Sequence, residues 1–249
     1  MQLQLMTWPD VQAYLGRRTD IIIPIGSTEQ HGPTGLVGTD ALTAEAVARG
    51  LGEAVGAIVG PTLSVGMAHH HLAFTGTITL RPTTLIALVK DVVASLRRHG
   101  FRQVLFVNGH GGNIATVNVA FQELYAEASL AGEGAGVRCA LVNWWDGSRV
   151  PALCREFYAG QDGSHATASE IAVTWALFPE TAREGTAHEP PVAPSGKGWT
   201  DAGEYRRNYP DGRIGSNPGL ATIEQGGRLL AAAVEDMAEK HAAFLKAGE

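Results

Sequence analysis

Ile21-Ile22-Ile23-Pro24-Ile25-Gly26-Ser27-Thr28-Glu29-Gln30-His31-Gly32-Pro33, continued by Gly38-Thr39-Asp40, is the stretch on which the reading of this chain turns. The four isoleucines make a short β-branched run, the pattern of a strand buried on both faces. Gly26 ends it, so Glu29 and His31 fall in the loop past the strand's carboxyl end. Alternate residues of an extended segment point the same way, and this carboxylate and imidazole can therefore face one point. Asp40 opens a helix predicted over 41–54, where a short acceptor also suits a helix start. On these residues alone, a polar loop with a capping aspartate and a ligand-holding loop read equally well.

Working outward, strands and helices alternate. Thr7-Trp8-Pro9-Asp10 resembles a helix start, with Val11, Tyr14 and Leu15 on one face before Gly16 stops it. Strands are predicted over 57–63 and 77–80. From Pro82, Leu85, Leu88, Val89, Val92, Val93 and Leu96 keep the spacing of an amphipathic helix that ends at Gly100. A strand over 104–107, a helix to about 131, a strand over 139–142, a helix that includes Glu170 and a closing helix over 220–245 complete the order. Such alternation implies an α/β fold whose mainly parallel sheet is covered on both faces. Binding sites in such sheets collect at the carboxyl ends of strands. Three strands deliver polar or aromatic groups there: Glu29/His31, the string Asn108-Gly109-His110-Gly111-Gly112-Asn113, and Trp145/Asp146.

The chain has 249 residues and 45% hydrophobic content, enough to bury a large core, and it reads as a single domain over 1–249. Residues 182–218 are rich in Gly and Pro and read as a long ordered loop, either a lid or an interface. Trp199, Tyr205 and Tyr209 within it suit contacts of a homo-oligomer. A net charge of −6 without a long basic run argues against nucleic acid as a partner. Two cysteines, Cys139 and Cys154, make no disulfide framework and no Cys-x-x-Cys metal site. The amino end lacks a secretory lead, and no run approaches the ~20 apolar residues of a membrane span. The expectation is a soluble cytoplasmic protein without a membrane partner.

Glu29, His31, Asp40 and His110 form a carboxylate and imidazole set without thiolate, which suits Zn, Mn or Fe(II). The glycines around His110 permit close approach. The string lacks the Lys-Ser/Thr and G-x-G-x-x-G signatures of a phosphate cradle. Glu170 makes a fifth candidate, more than one tetrahedral ion uses, so two divalent ions bridged by a carboxylate are expected. Glu170 and His165 are five apart and would diverge by about 140° in a regular helix. They share a site only if His165 lies at or before the first turn, with Ser164 as the cap. Of the run His69-His70-His71, at most one residue can face the site, and His71 is the choice.

With these pieces placed, the chain resembles the creatininase (creatinine amidohydrolase) family. The resemblance rests on residues 26–33, 38–40, Gly76-Thr77, 108–113, Trp145-Asp146 and the run from His165 to Glu170. It implies a three-layer α/β/α sandwich, a two-metal centre (Zn first, with Mn or Fe as alternatives) and commonly a hexamer. The implied activity is hydrolysis of non-peptide or small cyclic amide C–N bonds, with a small-molecule amide such as a lactam or formamide as substrate. Carried over, Glu29, His31, Asp40 (bridging) and His110 would hold metal, His165 would act in proton transfer, and Trp145 would wall the pocket. Asp146, His71, Ser164 and Gly111 complete the expected substrate-binding residues. In creatininase the glycine-flanked histidine is followed by Tyr and a ligand Glu. Here Gly111 and Gly112 stand instead, as in deformylases and mycofactocin-type peptidases, and Glu170 is the replacement ligand expected. Creatininase also has a Glu before the catalytic His and a Trp a few residues earlier, where this chain has Ser164 and Gln161. Trimming of a modified peptide and non-catalytic metal or ligand binding are the competing readings. Retention of His165 speaks against a pure binder, which needs no proton donor.

Overall fold

A computed structural model describes residues 1–247. Helix α1 (Trp8–Leu15) leads into strand β1 (Asp20–Ile25), followed by α2 (Thr39–Val55), β2 (Ile58–Val59), α3 (Pro82–His99), β3 (Gln103–Asn108), α4 (Asn113–Leu130) and β4 (Arg138–Asn143). The second half is helical: α5 (Arg149–Tyr158), α6 (Ala168–Leu177), α7 (Ala202–Asn208) and α8 (Ile223–Lys246). The four strands lie in the order β2-β1-β3-β4, all parallel.

Alternation along the strands splits the apolar side chains between two layers. Ile21, Ile23 and Ile25, with Val104 and Phe106, pack against Leu85, Val89 and Val93 of α3 and Val117 and Phe121 of α4. Ile22, Leu105 and Val107 point the other way, onto Val47 and Leu51 of α2, Ile171 and Trp175 of α6, and Leu229 and Met237 of α8. Every residue of β1 is buried, as expected of a strand covered on both faces. The architecture is the predicted three-layer α/β/α sandwich.

Three local predictions need correction. The strand expected over 57–63 is cut to Ile58–Val59, with one further bridge between Ile25 and Leu63. The carbonyls of Ile22 and Pro24 accept from Gly60 and Leu63, so Pro24 turns its nitrogen toward the same neighbour and has no N–H to offer. The facing bonds come from Gly60 N and then Leu63 N, one residue more than a regular parallel ladder spans, and the ladder breaks at Pro61-Thr62. Residues 77–80 are extended but join no sheet; Ile78 bridges Thr28 and Leu80 N donates to Gly66 O. Third, the cap of α6 is Thr167, not Ser164. Thr167 forms a capping box with Glu170, while Ser164 lies upstream with its N–H on Ile214 O.

Helix α5 and the short α7 were not expected. Helix α7 lies inside the 182–218 segment, and Tyr205 and Tyr209 are buried within the chain. Tyr205 donates to Gly212 O and Tyr209 to Lys197 O. Tyr205 and Tyr209 are thus spent on internal packing, while Trp199 is half-buried. Arg213, fully buried, ties the segment together: it donates to the carbonyls of Pro190, Pro191 and Ser216 and pairs with Asp211. No helix among the described residues is long and apolar enough to cross a membrane.

Candidate metal centre

The carboxyl ends of β1 and β3 abut the start of α2, and two glycines make this possible. A Cβ on Gly26 would lie 2.4 Å from Ala41 N, and one on Gly109 would lie 2.0 Å from Asp40 O. Only glycine lets both strand ends press against the first turn of α2. Asp40 sits in that turn but does not cap it; Gly38 is the cap residue. Its carboxylate is buried and faces two imidazoles instead. Oδ1 is 3.0 Å from His31 Nε2, and Oδ2 is 3.1 Å from His110 Nδ1.

Around Asp40 lie two ligand sets that share it. Glu29, Asp40 and His110 form one; His31, Asp40 and Glu170 form the other. Glu29 Oε2 is 3.2 Å from His110 Nε2, and Glu170 Oε2 is 3.9 Å from His31 Nε2. The other nitrogen of each imidazole has a backbone partner. His31 Nδ1 donates to Glu29 O at 3.1 Å, and His110 Nε2 donates to Met67 O at 3.1 Å. In the neutral rings this leaves His31 Nε2 and His110 Nδ1 as lone pairs aimed at Asp40, the arrangement typical of metal-ligating histidine. Asn108 holds the second loop, accepting His110 N at 3.1 Å and donating to His110 O at 2.7 Å.

Three oxygens test whether this set fits a metal. Glu29 Oε1 and Oε2 and Asp40 Oδ2 are buried and, among the described residues, have no hydrogen-bond donor in line. Each lies 3.1–3.2 Å from an imidazole nitrogen of His71 or His110 without an aligned hydrogen bond. Buried carboxylate oxygens left so are costly, and cations relieve that cost. The donors are nitrogen and carboxylate oxygen without thiolate, so the set fits Zn, Mn or Fe(II).

The same crowding shifts the protons. Burial alone would lower His31, but the carboxylates of Asp40, Glu170 and Glu29 outweigh it and raise it to about 10. Burial is likewise overridden in His110 by Glu29 and Asp40, which raise it to about 9. Asp40 is held well below the usual carboxylate range, since the two imidazoles override its burial. Burial pushes Glu170 up to about 7, with Asp40 adding to the rise and His31 opposing it. His165 goes the other way: burial and the imidazoles of His71, His31 and His110 keep it neutral.

His165 precedes α6 and pairs with Ile214 of the C-terminal segment. Its Nε2 is 2.9 Å from Gln30 O, which leaves Nδ1 turned toward the cluster, 3.8 Å from Glu29 Oε1. The Gln30 side chain ties this neighbourhood together: Oε1 accepts Gly32 N, and Nε2 lies within 3.0 Å of Gly212 O, His71 Nδ1 and His165 Nε2.

A cavity of about 520 Å³ opens on this centre. Asp40, His110, Glu170 and His165 border it, as do Gly111, Ser164 and Trp145. Two expected substrate contacts are elsewhere. His71 lies behind Glu29, with Nε2 3.2 Å from Glu29 Oε1. Asp146 is exposed and accepts from Asn143 Nδ2 at 2.8 Å. Sequence reasoning missed Trp144, Val150, Pro151, Cys154 and Arg155 on the opposite wall. The signal was present: Val150/Cys154 and Pro151/Arg155 are two i, i+4 pairs, one face of α5.

Known proteins are similar to this chain in sequence and in fold. The model of the creatininase family, described as creatinine amidohydrolase, matches residues 4–241. Creatinine amidohydrolase of Pseudomonas putida is 28% identical over 190 residues, 70% of this chain and 71% of its own. The mycofactocin precursor peptide peptidase of Mycobacterium ulcerans (strain Agy99) is 32% identical over 245 residues, 92% of this chain and 83% of its own. A creatininase solved in a Mn form superposes with a TM-score of 0.83 at 26% identity, covering 96% of both chains. A Zn–Zn form of a creatininase mutant gives 0.82 at the same identity and coverage. This chain belongs to the creatininase family.

Proposed function

We propose that the protein is a metal-dependent amidohydrolase that cleaves a C–N bond of a small amide, a lactam or formamide, held in the 520 Å³ cavity. The observation that carries this reading is Asp40. Its two oxygens face two ligand sets, beside buried oxygens of Glu29 that lack an aligned hydrogen bond, on the floor of a cavity that also holds a neutral histidine. Glu29, Asp40 and His110 would hold one divalent ion and His31, Asp40 and Glu170 the other, Zn first with Mn or Fe as alternatives. A bound pair of such ions supplies Lewis acidity for a carbonyl and lowers the pKa of water. His165 moves the protons: as a neutral base it takes one at Nδ1 from the attacking water and delivers it to the amide nitrogen, so that the C–N bond breaks with an amine leaving. Trp144 and Trp145 give a flat substrate an apolar wall.

A second reading, trimming of a modified peptide, is favoured by Gly111-Gly112 and by the peptidase relative, which covers nine-tenths of the chain. Against it stands the size of the cavity, which suits a small molecule better than an extended peptide. Turnover on a panel of lactams, formamides and short peptides, with two metal equivalents supplied, separates the readings. Activity confined to peptides would replace the first with the second, and binding without turnover of any amide would favour a pure binder. Asp40→Ala should lose most of the metal, because both sets share it. One ion per chain, unchanged in that variant, would refute the two-ion centre. Assembly as a homo-oligomer, a hexamer by resemblance, belongs to the same proposal, and sedimentation of a monomer at micromolar concentration would reject it.

A further inference from the structure

We infer that Arg155 forms a carboxylate-binding subsite in the cavity, so that the amide substrate carries a carboxylate on the side remote from the metal centre. This rests on the metal-hydrolase reading above and adds the chemical class of the substrate. Helix α5 presents Pro151 and Arg155, one turn apart, to the cavity. Arg155 is the one Arg or Lys among the lining residues, and among the described residues its side chain has no hydrogen-bonded or ion-paired partner.

The other charges nearby are matched. On the same helix Arg149 pairs with Asp236 at 2.9 Å, Glu239 at 2.7 Å and Glu235 at 2.8 Å, and Glu156 pairs with Arg228 at 3.2 Å. Asp162, the lining carboxylate outside the metal sets, is committed: Oδ1 accepts Ser169 N and Oδ2 accepts Ser169 Oγ, each at 2.8 Å. Arg155 is an exposed residue of that lining, and its five N–H donors are left free beside a space that also admits a substrate. A guanidinium recognises a carboxylate through two parallel hydrogen bonds, and one such group without a second cation suits a monoanion better than a phosphate dianion. The chain's net charge of −6 opposes anions at long range, so an anionic substrate needs such a local partner.

The test uses metal-loaded protein and hydroxamates, which anchor at divalent ions. Binding of the monohydroxamates of four-, six- and eight-carbon dicarboxylic acids is measured by calorimetry against the corresponding neutral alkyl hydroxamates. At least one chain length should bind about tenfold more tightly with the carboxylate than without it. Arg155→Gln should abolish that preference without weakening the neutral hydroxamate, Arg155→Lys should retain part of it, and Arg228→Gln should leave it intact. Hydroxamate binding without a charge preference, or a preference that survives Arg155→Gln, overturns the inference alone. Failure of every hydroxamate to bind the metal-loaded wild type overturns the metal-centre reading and the inference with it.

Discussion

In the metal-free protein the candidate centre stores protons at the positions where it would hold ions, so metal binding should release them. At pH 7 His31, raised to about 10, and His110, raised to about 9, both carry their second proton, and burial raises Glu170 toward neutral pH. A cation can take the lone pairs of His31 Nε2 and His110 Nδ1 only after those protons leave. Filling both sets at pH 7 should therefore release about two protons per chain from the imidazoles, with any proton on Glu170 adding to the count. The sign follows: affinity rises with pH. From pH 7 to pH 8 each imidazole contributes up to about tenfold, so the combined affinity for the two ions should rise by up to roughly 100-fold, with Glu170 adding in the same direction. Calorimetric titration of Zn in buffers of different ionisation enthalpy counts the protons directly. His31→Asn should lower the count by about one as it weakens binding. If affinity is flat between pH 6.5 and 8.5, or no protons appear, the imidazoles are not the ligands and the reasoning fails.

His165→Gln should keep its metal while kcat falls roughly 10²–10⁴-fold. An ester analogue, whose alkoxide leaves with less help, should lose less, and metal lost together with activity would make His165 a ligand. Gln30→Leu removes the side chain bound by Gly32 N and placed beside His71, His165 and Gly212 O; kcat should fall about 10–100-fold at full metal content, with KM little changed. Asp20 tests the scaffold instead. Burial would raise it, but hydrogen bonds from His241 and Arg18 hold it well below the usual carboxylate range. Its stabilising effect is therefore full above the unfolded value near 3.8 and fades as pH falls through it. Asp20→Asn should lower the urea midpoint at pH 7 and do so less at pH 3; an equal loss at both would refute the linkage.

Much of this was legible in the sequence because burial on both faces of a strand leaves a strong mark. The isoleucine run, the 104–107 run and the 3,4 spacing of α3 all gave elements close to those observed. Where local chemistry competes with pattern, the reading failed. Pro24 and the extra residue at 61–62 shorten β2, which apolar content alone could not reveal. Helix α5 carries a proline and charged residues, yet one face of it walls the cavity. Ser164 looked like the cap of α6, but Thr167 has the partner a capping box needs, Glu170 three residues on. That box has a consequence for the site: Glu170 Oε1 accepts Thr167 N at 2.6 Å, which leaves Oε2 as the oxygen turned to His31.

The two halves of the cavity answer to different constraints. Its floor is built where β1, β3 and α2 meet, under close approach of Gly26 and Gly109 to the α2 backbone. A side chain at either glycine collides with backbone within 2.5 Å, so the floor can change little without moving the sheet. Its far wall is one face of α5, tied to α8 through Arg149 and Asp236 but presenting Pro151, Cys154 and Arg155 to open space. Substitutions there alter what the cavity accepts without disturbing Asp40 or its imidazoles. A rigid floor with a replaceable wall would let one metal centre serve different amides, and it makes Arg155 and its helix the place to look for the identity of the substrate.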